Sequence, residues 1–417
     1  MREVYVIGVG STRFARHLDK DITTLTAESL EATLKDAGVG KKEIQSAWFG
    51  NFAWGIFSGQ HSIKGQIALR PLGIDSIPII NVENACATAS TAFHGAWKDV
   101  ACGLYDVALA IGTEKIYHVD KAKTFQALEA GVDVEHFGEL AERFNGVATD
   151  IIPPEYLAKS PAAGTEKSFA MDAYSGWTRH HMRKYGTTQR QLAVISSKNH
   201  HHGALNPFAQ YQKEMTVEEV LADKMISYPL TRAMCSPVAD GSAAAIVCSK
   251  EYLQKLPNAR PVKVRASILG SGSDRKLDDE KADIVYRLSR QAYEVAGLGP
   301  EDLDIAEVHD ATAYGEIQVT EAIGLCPFGE GGPLAESGAT TLGGRIPVNL
   351  SGGLESRGHP IGATGLGQIH ELVVQLRGEA GQRQTAGARI GLAENGGGIH
   401  AWEPVAMCVH IFEGVKK

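Results

Sequence analysis

The sequence predicts an α/β fold built from two similar halves. Comparison of the chain with itself aligns residues 37–50 with residues 296–309, so that Ala37 and Ala296 stand 259 positions apart. In both segments a helical pattern ends at a glycine, a short polar turn follows, and an apolar strand comes next. A length of 417 residues suits one compact unit made of two halves. The alternation of strands and helices indicates mainly parallel sheets that helices cover.

The predicted elements follow the same order in each half. The first half has a strand at residues 4–9, a helix at 25–37, an apolar run at 77–80, a helical segment rich in small residues and a strand at 107–111. The second half has corresponding patterns at residues 262–268, 282–296, 348–350 and 389–392. We therefore expect two sheets back to back, with Cys86 and His359 at equivalent turns of the two halves.

A segment between the halves interrupts this alternation. Residues 115–231 contain Pro153-Pro154, an acidic stretch and an amphipathic helical pattern at residues 171–185. An irregular connection of this length inside a compact protein usually forms a lid or a binding loop, so we expect it to shape the substrate site. The predicted domains are an N-terminal half of residues 1–114 plus 232–258, an inserted loop domain of residues 115–231, and a C-terminal half of residues 259–417.

One cysteine directly follows an apolar run and opens a helical segment. In Asn84-Ala85-Cys86-Ala87-Thr88, Cys86 would lie at the end of a strand and on the first turn of a helix. Free backbone N–H groups and the helix dipole favour a thiolate at such a place, which would make Cys86 a nucleophile. The alternative is a structural cysteine, because free cysteines commonly pack as small hydrophobic residues.

Two histidines far along the chain are candidate partners of this sulfur. His309 ends an apolar strand in Glu307-Val308-His309-Asp310-Ala311, and His359 lies in the glycine-rich stretch 351–365. An early cysteine with late histidines is typical of a nucleophile and a base that meet only in the folded chain. The chain has 15 histidines, so a structural role is the alternative for each one alone. The glycines around His359 favour a catalytic role, because they let backbone or ligand approach closely.

Composition argues against several classes of function. The net charge of −8 comes without a basic segment for nucleic acid. No apolar run approaches the roughly 20 residues of a membrane span, and the chain starts with a strand pattern rather than a signal peptide. The six cysteines are scattered without CxxC spacing, which argues against a disulfide framework and a structural zinc site. We expect a cytoplasmic protein with reduced thiols and with no nucleic-acid or membrane partner.

We also predict that the chain has no metal site. His200, His201 and His202 are consecutive, and neighbours on a regular helix face apart. A polar turn is the expected structure for these three histidines. The segment Gly8-Val9-Gly10-Ser11-Thr12 lacks the third glycine and the Lys-Ser/Thr ending of a phosphate loop, so it indicates nucleotide binding only weakly.

Four motifs give the chain a family resemblance. They are Asn84-Ala85-Cys86-Ala87-Thr88, His309-Asp310-Ala311, Gly358-His359-Pro360-Ile361-Gly362-Ala363-Thr364-Gly365 and Glu394-Asn395-Gly396-Gly397-Gly398. With them, essentially the whole chain resembles the thiolases, most closely the sterol-carrier-protein-type and archaeal branch. The resemblance implies the thiolase fold, a five-layer α-β-α-β-α core with an inserted loop domain. It also implies an acyl-CoA C-acyltransferase that takes coenzyme A (CoA) as co-substrate and has no covalently bound cofactor.

The resemblance assigns roles by motif. Cys86 would attack the ketone carbon of a 3-oxoacyl-CoA, and His359 would deprotonate the thiol and help to polarise the thioester oxygen. His309 would help to bind the enolate oxygen that develops when the carbon–carbon bond breaks. The backbone N–H groups of Cys86 and Gly397 would form the oxyanion hole for the tetrahedral adduct.

One feature of the family is missing from this chain. Many thiolases have a second cysteine that protonates the departing carbanion, either near the C-terminus or just after the His-Asp pair. Here Glu394 and Asn395 occupy the first location, ambiguous by one position, and Ala311 occupies the second. Three alternatives follow. The carbanion needs little acid, another group such as Glu394, Asp310 or Tyr314 carries the proton, or the reaction is not thiolysis.

Retention of both Cys86 and His359 favours acyl transfer through a covalent thioester. Steroid-degrading retro-aldolases resemble thiolases but lack the nucleophilic cysteine, so a carbon–carbon lyase is the first alternative. A non-catalytic CoA-binding scaffold subunit is the second. The overall likeness suggests benzoylsuccinyl-CoA as the substrate, cleaved to benzoyl-CoA and succinyl-CoA in anaerobic toluene degradation.

The resemblance also implies protein partners. Thiolase-like proteins are usually homodimers or dimers of dimers, and members of this branch often pair with a small zinc-ribbon and OB-fold protein that completes CoA binding. A doubly acidic product would call for a cation near Cys86, and Arg232, Arg345 and Arg357 lie near motif segments. Because most arginines are ordinary solvated residues, we do not predict these three as catalytic.

Overall fold

One large mixed sheet runs through the protein. This computed structural model describes residues 1–157 and 167–415. Its strands are β1 Val4–Ser11, β2 Ser46–Gly50, β3 Ile79–Val82, β4 Val107–Glu114, β5 Met225–Ser227, β6 Leu230–Thr231, β7 Gly241–Ser249, β8 Val262–Ser271, β9 Ile305–Glu307, β10 Ile390–Gly397 and β11 Ala406–Gly414. The nine-stranded sheet has the order β3-β2-β4-β7-β1-β8-β11-β10-β9, and β5 pairs with β6 separately.

Helices of very different length surround and separate the strands. They are α1 Ile22–Ala37, α2 Trp54–Ser58, α3 Lys64–Leu69, α4 Thr88–Ala101, α5 Lys121–Leu128, α6 Phe137–Asn145, α7 Pro154–Leu157, α8 Phe169–Tyr185, α9 Gln189–Ala204, α10 Val217–Ala222, α11 Lys250–Leu253, α12 Ile284–Ala296, α13 Ala313–Ala322, α14 Gly331–Glu336, α15 Gly353–Arg357 and α16 Thr364–Leu376. Within the described ranges, none of these helices combines the length and the apolar run that crossing a membrane requires.

The predicted repeat is visible in the backbone. α1 ends at Gly38 (φ 68°) and α12 ends at Gly297 (φ 65°), the positions that the sequence comparison aligns. Both glycines are left-handed, a conformation that costs glycine little and other residues more. A short 3₁₀ turn then leads into β2 in the first half and into β9 in the second.

The strand order repeats outward from the middle of the sheet. β1, β7, β4, β2 and β3 belong to the first half, and β8, β11, β10 and β9 to the second. β1 pairs antiparallel with β8, so the half-sheets join edge to edge. The expectation of mainly parallel pairing is wrong, because within the described residues only β2–β3, β2–β4 and β9–β10 are parallel. β7 follows the insertion and β11 follows a short connection, and neither enters through the helical crossover that parallel pairing needs.

Two helices lie between the half-sheets and form the middle layer. α4 packs on β2 and β4 and also contacts β8 and β11, whereas α16 packs on β9 and β10 and also contacts β1 and β7. α1 covers β1 and β7 from outside, and α12 covers β8 and β11. The half-sheets therefore face each other across α4 and α16 while sharing an edge. This packing is the five-layer core that the resemblance implies.

The segment between the halves is mostly helical. It contains α5 to α10, and α8 includes the helix predicted at residues 171–185. The turn predicted at His200–His202 is wrong, because these residues continue α9. His202 is buried, and its Nδ1 lies 3.0 Å from the Asn349 carbonyl oxygen, so packing against the second half keeps the helix intact. The domain boundaries given above stay a prediction.

Candidate active site

Cys86 lies in a tight turn between β3 and α4. Ala85 has a left-handed backbone (φ 46°), which is a strained conformation for a residue other than glycine. Thr88 holds the turn, since its Oγ1 accepts the Asn84 N–H at 2.9 Å and donates to the Ala85 carbonyl at 2.6 Å. α4 begins at Thr88 with Ala87 as its N-cap. Cys86 therefore precedes the first helical turn instead of lying on it as predicted.

His359 reaches the sulfur from the equivalent turn of the second half, between α15 and α16. Its Nε2 lies 3.2 Å from Cys86 Sγ. Its Nδ1 lies 2.7 Å from Thr364 Oγ1, and that hydroxyl is 3.0 Å from the Pro360 carbonyl to which it donates. A hydroxyl has a single proton, so Thr364 must accept from an Nδ1–H of His359. This hydrogen-bond pattern assigns a tautomer whose Nε2 lone pair faces the thiol.

His309 completes the group from the end of β9. Its ring is perpendicular to the His359 ring, with centroids 5.3 Å apart. The Asn395 amide nitrogen lies 3.0 Å from His309 Nδ1, while the Asn395 amide oxygen accepts from Ser90 Oγ at 3.0 Å. Asn395 therefore donates to Nδ1, and the neutral His309 ring carries its proton on Nε2. Ligand-type atoms of Cys86, His309 and His359 all lie within 4.8 Å of one another.

The electrostatics of the site favour uncharged side chains. Burial raises the pKa of Cys86 to about 12, and Glu83 adds to the shift, whereas the backbone N–H groups of Gly398 and Cys86 oppose it. Burial lowers the pKa of His309 to about 4 and that of His359 well below its ordinary value. The resting pair is thus a neutral thiol and a neutral imidazole. The thiolate predicted from sequence is wrong for this state, because desolvation outweighs the effect of the nearby helix terminus.

Gly397, the last residue of β10, and Gly398 after it touch the turn that holds Cys86. A Cβ atom on Gly397 would lie 2.3 Å from the Asn84 carbonyl oxygen and 2.8 Å from the Cys86 nitrogen, so only glycine fits there. The downstream backbone N–H that acts on the Cys86 sulfur belongs to Gly398. Gly398 is thus a second candidate for the oxyanion hole, while the role expected of Gly397 stays a prediction. In this structure Gly397 allows the close backbone approach.

The groups predicted to replace the missing cysteine occupy different places. Glu394 Oε2 accepts the His309 backbone N–H at 2.9 Å, and burial raises the pKa of Glu394 to about 8. Asn395 is committed to the His309 ring, as described above. Tyr314 packs edge-on against His181, with centroids 5.5 Å apart, and faces a separate small cavity. Neither Glu394 nor Tyr314 lines the cavity that holds Cys86.

Asp310 belongs to a buried carboxyl cluster that sequence reasoning missed. Asn199 of α9 donates from its amide nitrogen toward Asp310 at 3.0 Å, Glu355 at 3.1 Å and Glu316 at 3.2 Å. Lys198 pairs with Glu316. Burial and neighbouring carboxylates raise the pKa of Asp310 well above its ordinary value and that of Glu355 to about 8. The cluster joins the inserted segment to the elements that bear His309 and His359.

A cavity of about 380 Å³ opens beside Cys86, His309 and His359. Its apolar wall comes mainly from α5 and α8 and contains Phe125, Leu128, Phe169, Met171, Tyr174 and Trp177. Arg232 also lines the cavity and is paired with Asp223 at 2.6 Å. Arg357 is buried with its guanidinium 4.7 Å from the Phe14 ring centroid, and Arg345 contacts the Leu325 carbonyl. Neither of the last two lines the cavity.

Cys86, His309 and His359 are also the one group of three potential metal ligands in the part of the chain that the structure describes. Thiolate and imidazole ligands are the kind that zinc prefers. In this structure, however, His359 Nε2 already contacts the Cys86 thiol. The expectation that the protein has no metal site stays a prediction.

Comparison with known protein families agrees with this architecture. The family "Thiolase, N-terminal domain" matches residues 4–251, and "Thiolase C-terminal domain-like" matches residues 276–409. The chain therefore belongs to the thiolase family. This result confirms the predicted fold class and the predicted enzyme class, an acyltransferase.

Individual relatives span nearly the whole chain. Acetyl-CoA acetyltransferase of Methanothermobacter thermautotrophicus is 36% identical and covers 99% of this chain and 100% of its own length. Sterol carrier protein 2 of Bos taurus is 37% identical (94% and 69%), and benzoylsuccinyl-CoA thiolase subunit BbsB of Thauera aromatica is 35% identical (96% and 96%). The solved Ltp2-ChsH2(DUF35) aldolase has a TM-score of 0.76 at 22% identity, covering 100% of this chain and 98% of that chain.

Proposed function

We propose that this protein cleaves a 3-oxoacyl-CoA with CoA through an acyl-enzyme on Cys86. The 3.2 Å contact between Cys86 Sγ and His359 Nε2 is the observation that carries the proposal. It joins a nucleophile and a base across the two halves of the chain, on the wall of a cavity large enough for an acyl group.

In the proposed first step, the Cys86 sulfur attacks the ketone carbon while His359 Nε2 takes the thiol proton. The carbon–sulfur bond forms as the proton leaves the thiol. The resting enzyme therefore does not have to hold a thiolate and an imidazolium in the site. Thr364 keeps the imidazole oriented and accepts a hydrogen bond from Nδ1–H throughout. The ketone oxygen becomes an oxyanion, which the N–H groups of Cys86 and Gly398 would stabilise.

In the proposed second step, the carbon–carbon bond breaks and leaves the acyl group on Cys86. The departing fragment is an enolate of an acyl-CoA. His309 would donate from Nε2–H to the enolate oxygen, because Asn395 fixes its Nδ1 as an acceptor. The enolate carbon gains a proton, and the CoA thiol loses one as it attacks the Cys86 thioester. The Cys86 sulfur then leaves and regains its own proton from His359.

For the acyl group, we propose a bulky or aromatic substrate such as benzoylsuccinyl-CoA. The support is the apolar wall of the cavity, with Phe169 and Trp177 among its aromatic side chains. The relative BbsB, named as a benzoylsuccinyl-CoA thiolase subunit, is 35% identical over almost the whole chain. Cleavage would release benzoyl-CoA and succinyl-CoA. The reaction would then belong to the degradation of an aromatic hydrocarbon.

We also propose a homodimeric core in the cytoplasm and a small zinc-ribbon and OB-fold partner subunit. The relative BbsB is named as a subunit of benzoylsuccinyl-CoA thiolase. The similar structure is named as an aldolase of two components, Ltp2 and ChsH2(DUF35). These names support a heteromeric assembly as a hypothesis for this chain.

A panel of CoA esters tests the proposed function. The purified protein, with and without a candidate partner, is incubated with CoA and either acetoacetyl-CoA or benzoylsuccinyl-CoA, and the products are identified by mass spectrometry. We expect CoA-dependent cleavage of at least one ester, and loss of cleavage in Cys86→Ala and His359→Ala. Cleavage that releases an aldehyde or ketone without consuming CoA and survives Cys86→Ala would indicate a lyase. No turnover under any condition would indicate a scaffold.

A further inference from the structure

A tyrosine of the inserted segment lines the same cavity as the catalytic group. Tyr174 lies on α8 and is 9% exposed, with its ring edge-on to Trp177 at a centroid distance of 5.2 Å. Among the residues that the structure describes, its hydroxyl has no hydrogen-bond partner. The hydroxyl is not among the fully buried polar atoms, so it opens on the cavity, where a ligand can form a hydrogen bond with it.

The ionisable neighbours of this phenol are groups of the active site. They are Cys86, Glu394 and Asp310, and Cys86 has the largest electrostatic effect of the three. Burial and these neighbours raise the pKa of Tyr174 well above its ordinary value. The phenol therefore keeps its proton at neutral pH, and a tyrosinate formed there would be a strong base.

We propose that Tyr174 is a catalytic residue that supplies the proton provided by a second cysteine in many thiolases. This inference rests on the proposed function, since it assumes a carbanion that leaves from the Cys86 adduct. The phenol is placed to hydrogen-bond with substrate in the cavity beside Cys86, a role that the sequence alone left to Glu394, Asp310 or Tyr314.

Each proton that moves in the proposed steps has a donor and an acceptor. When the carbon–carbon bond breaks, its electron pair goes to the α-carbon of the departing acyl-CoA, and the Tyr174 hydroxyl proton transfers to that carbon. The resulting tyrosinate then takes the proton of the incoming CoA thiol, which is the stronger acid. The CoA thiolate attacks the Cys86 thioester, and Tyr174 is again a neutral phenol.

Another thiol on the cavity wall is the strongest competitor for this role. Cys235 lines the cavity, but its sulfur donates to the Thr231 carbonyl at 3.3 Å. The ionisable neighbours of Cys235 are Glu355 and Asp223 rather than Cys86. Its proton is therefore directed away from the reacting sulfur, whereas the Tyr174 hydroxyl is unpaired.

The variant Tyr174→Phe tests the proposal through two partial reactions. Acylation of Cys86 by p-nitrophenyl acetate needs no proton for its leaving group, so we expect the rate to stay within threefold of wild type. Thiolysis of acetoacetyl-CoA needs the proton, so we expect kcat to fall by about 100-fold or more. Tyr185→Phe, the same change on the same helix but facing away from this cavity, is the matched control and should leave both rates unchanged.

Two results would overturn the assignment. A fall in thiolysis of less than tenfold would mean that another group donates, and Cys235→Ser would then identify or exclude that thiol. An equal fall in acylation and thiolysis would mean that Tyr174 only supports packing. Failure of the proposed function gives a different result, because wild-type protein would then show neither acylation of Cys86 nor thiolysis.

Discussion

At the residue scale, the proposed chemistry depends on keeping Cys86 and His359 uncharged until substrate arrives. Burial raises the pKa of the Cys86 thiol to about 12 and lowers that of the His359 imidazole, so neither favours the charged form. A helix terminus alone would predict the opposite for the thiol. The sequence shows the helix terminus but cannot show how much hydration the half-buried sulfur loses in the folded chain.

Alkylation of Cys86 should follow this raised pKa. Because the thiolate is the reactive form, we expect the rate with iodoacetamide to rise about tenfold per pH unit between pH 7 and 9. Peptide mass spectrometry after timed quenching measures the rate, and the exposed Cys102 gives an internal reference. A rate for Cys86 that is already at its plateau at pH 7 would show a stable thiolate and contradict the neutral pair.

The hydroxyl of Thr364 should control the tautomer of His359. Thr364→Val removes the acceptor for Nδ1–H, so the imidazole loses its fixed orientation toward Cys86. We expect kcat for thiolysis to fall about 10- to 100-fold with little change in KM. Thr364→Ser keeps the hydroxyl and should recover most of the activity. Equal loss in both variants would point to the methyl group and its packing.

Glu394 should make stability depend on pH with a defined sign. The folded pKa of about 8 lies above the ordinary value of 4.5, so the stability associated with protonated Glu394 is full below pH 4.5 and is lost as pH rises to 8. Glu394→Gln keeps an oxygen for the His309 N–H but does not ionise. We therefore expect the variant to gain stability relative to wild type, by on the order of 3 kcal/mol, between pH 5 and pH 8. Urea unfolding at both pH values measures this, and a pH-independent difference would refute it.

At the element scale, the site is built where four segments converge on one edge of the middle layer. The turn before α4 supplies Cys86, the turn before α16 supplies His359, and the end of β9 supplies His309. The end of β10 contacts this group through Gly397, which packs directly on the turn that holds Cys86. Glycine at this position thus serves close backbone approach, and the adjoining Gly398 directs its backbone N–H at the Cys86 sulfur.

Replacement of Gly397 by alanine should disrupt this contact. The added Cβ would meet backbone atoms of Asn84 and Ala87, which cannot move independently of the turn. We expect loss of at least about 2 kcal/mol in unfolding free energy and loss of thiolysis. Gly138→Ala is the matched control, since Gly138 is exposed on α6 with no atom near the added Cβ. If both variants behave alike, the close approach does not matter for the site.

At the scale of the whole molecule, the duplication brings together Cys86, the proposed nucleophile, and His359, the proposed base. α4 and α16 occupy equivalent positions in the two halves, so the turns that precede them face each other in the middle layer. The repeat at Ala37 and Ala296 made this arrangement predictable from sequence, and the motifs around Cys86, His309 and His359 identified the group. Periodicity cannot reveal that β7 and β11 run antiparallel, because that depends on the connections between distant strands.

The inserted segment is the part of the site that sequence patterns describe least. Asn199 joins three buried carboxyl groups, and Tyr174 lines the cavity, yet no sequence motif marks either residue. Both lie on helices whose periodic patterns indicate burial without indicating what each side chain faces. Their contacts arise only when α8 and α9 pack against the second half.

Trapping the acyl-enzyme tests the central claim most directly. The protein is mixed, without added CoA, with an ester that it cleaves in the panel, taken here as acetoacetyl-CoA. The mixture is quenched in acid and measured by intact mass and peptide mapping. We predict one acetyl group on Cys86 in the wild type, none in Cys86→Ala, and a strongly reduced amount in His359→Ala. An acetyl group on another residue, or the same amount of acetyl-Cys86 without the His359 imidazole, would contradict a nucleophile and a base that act as a pair.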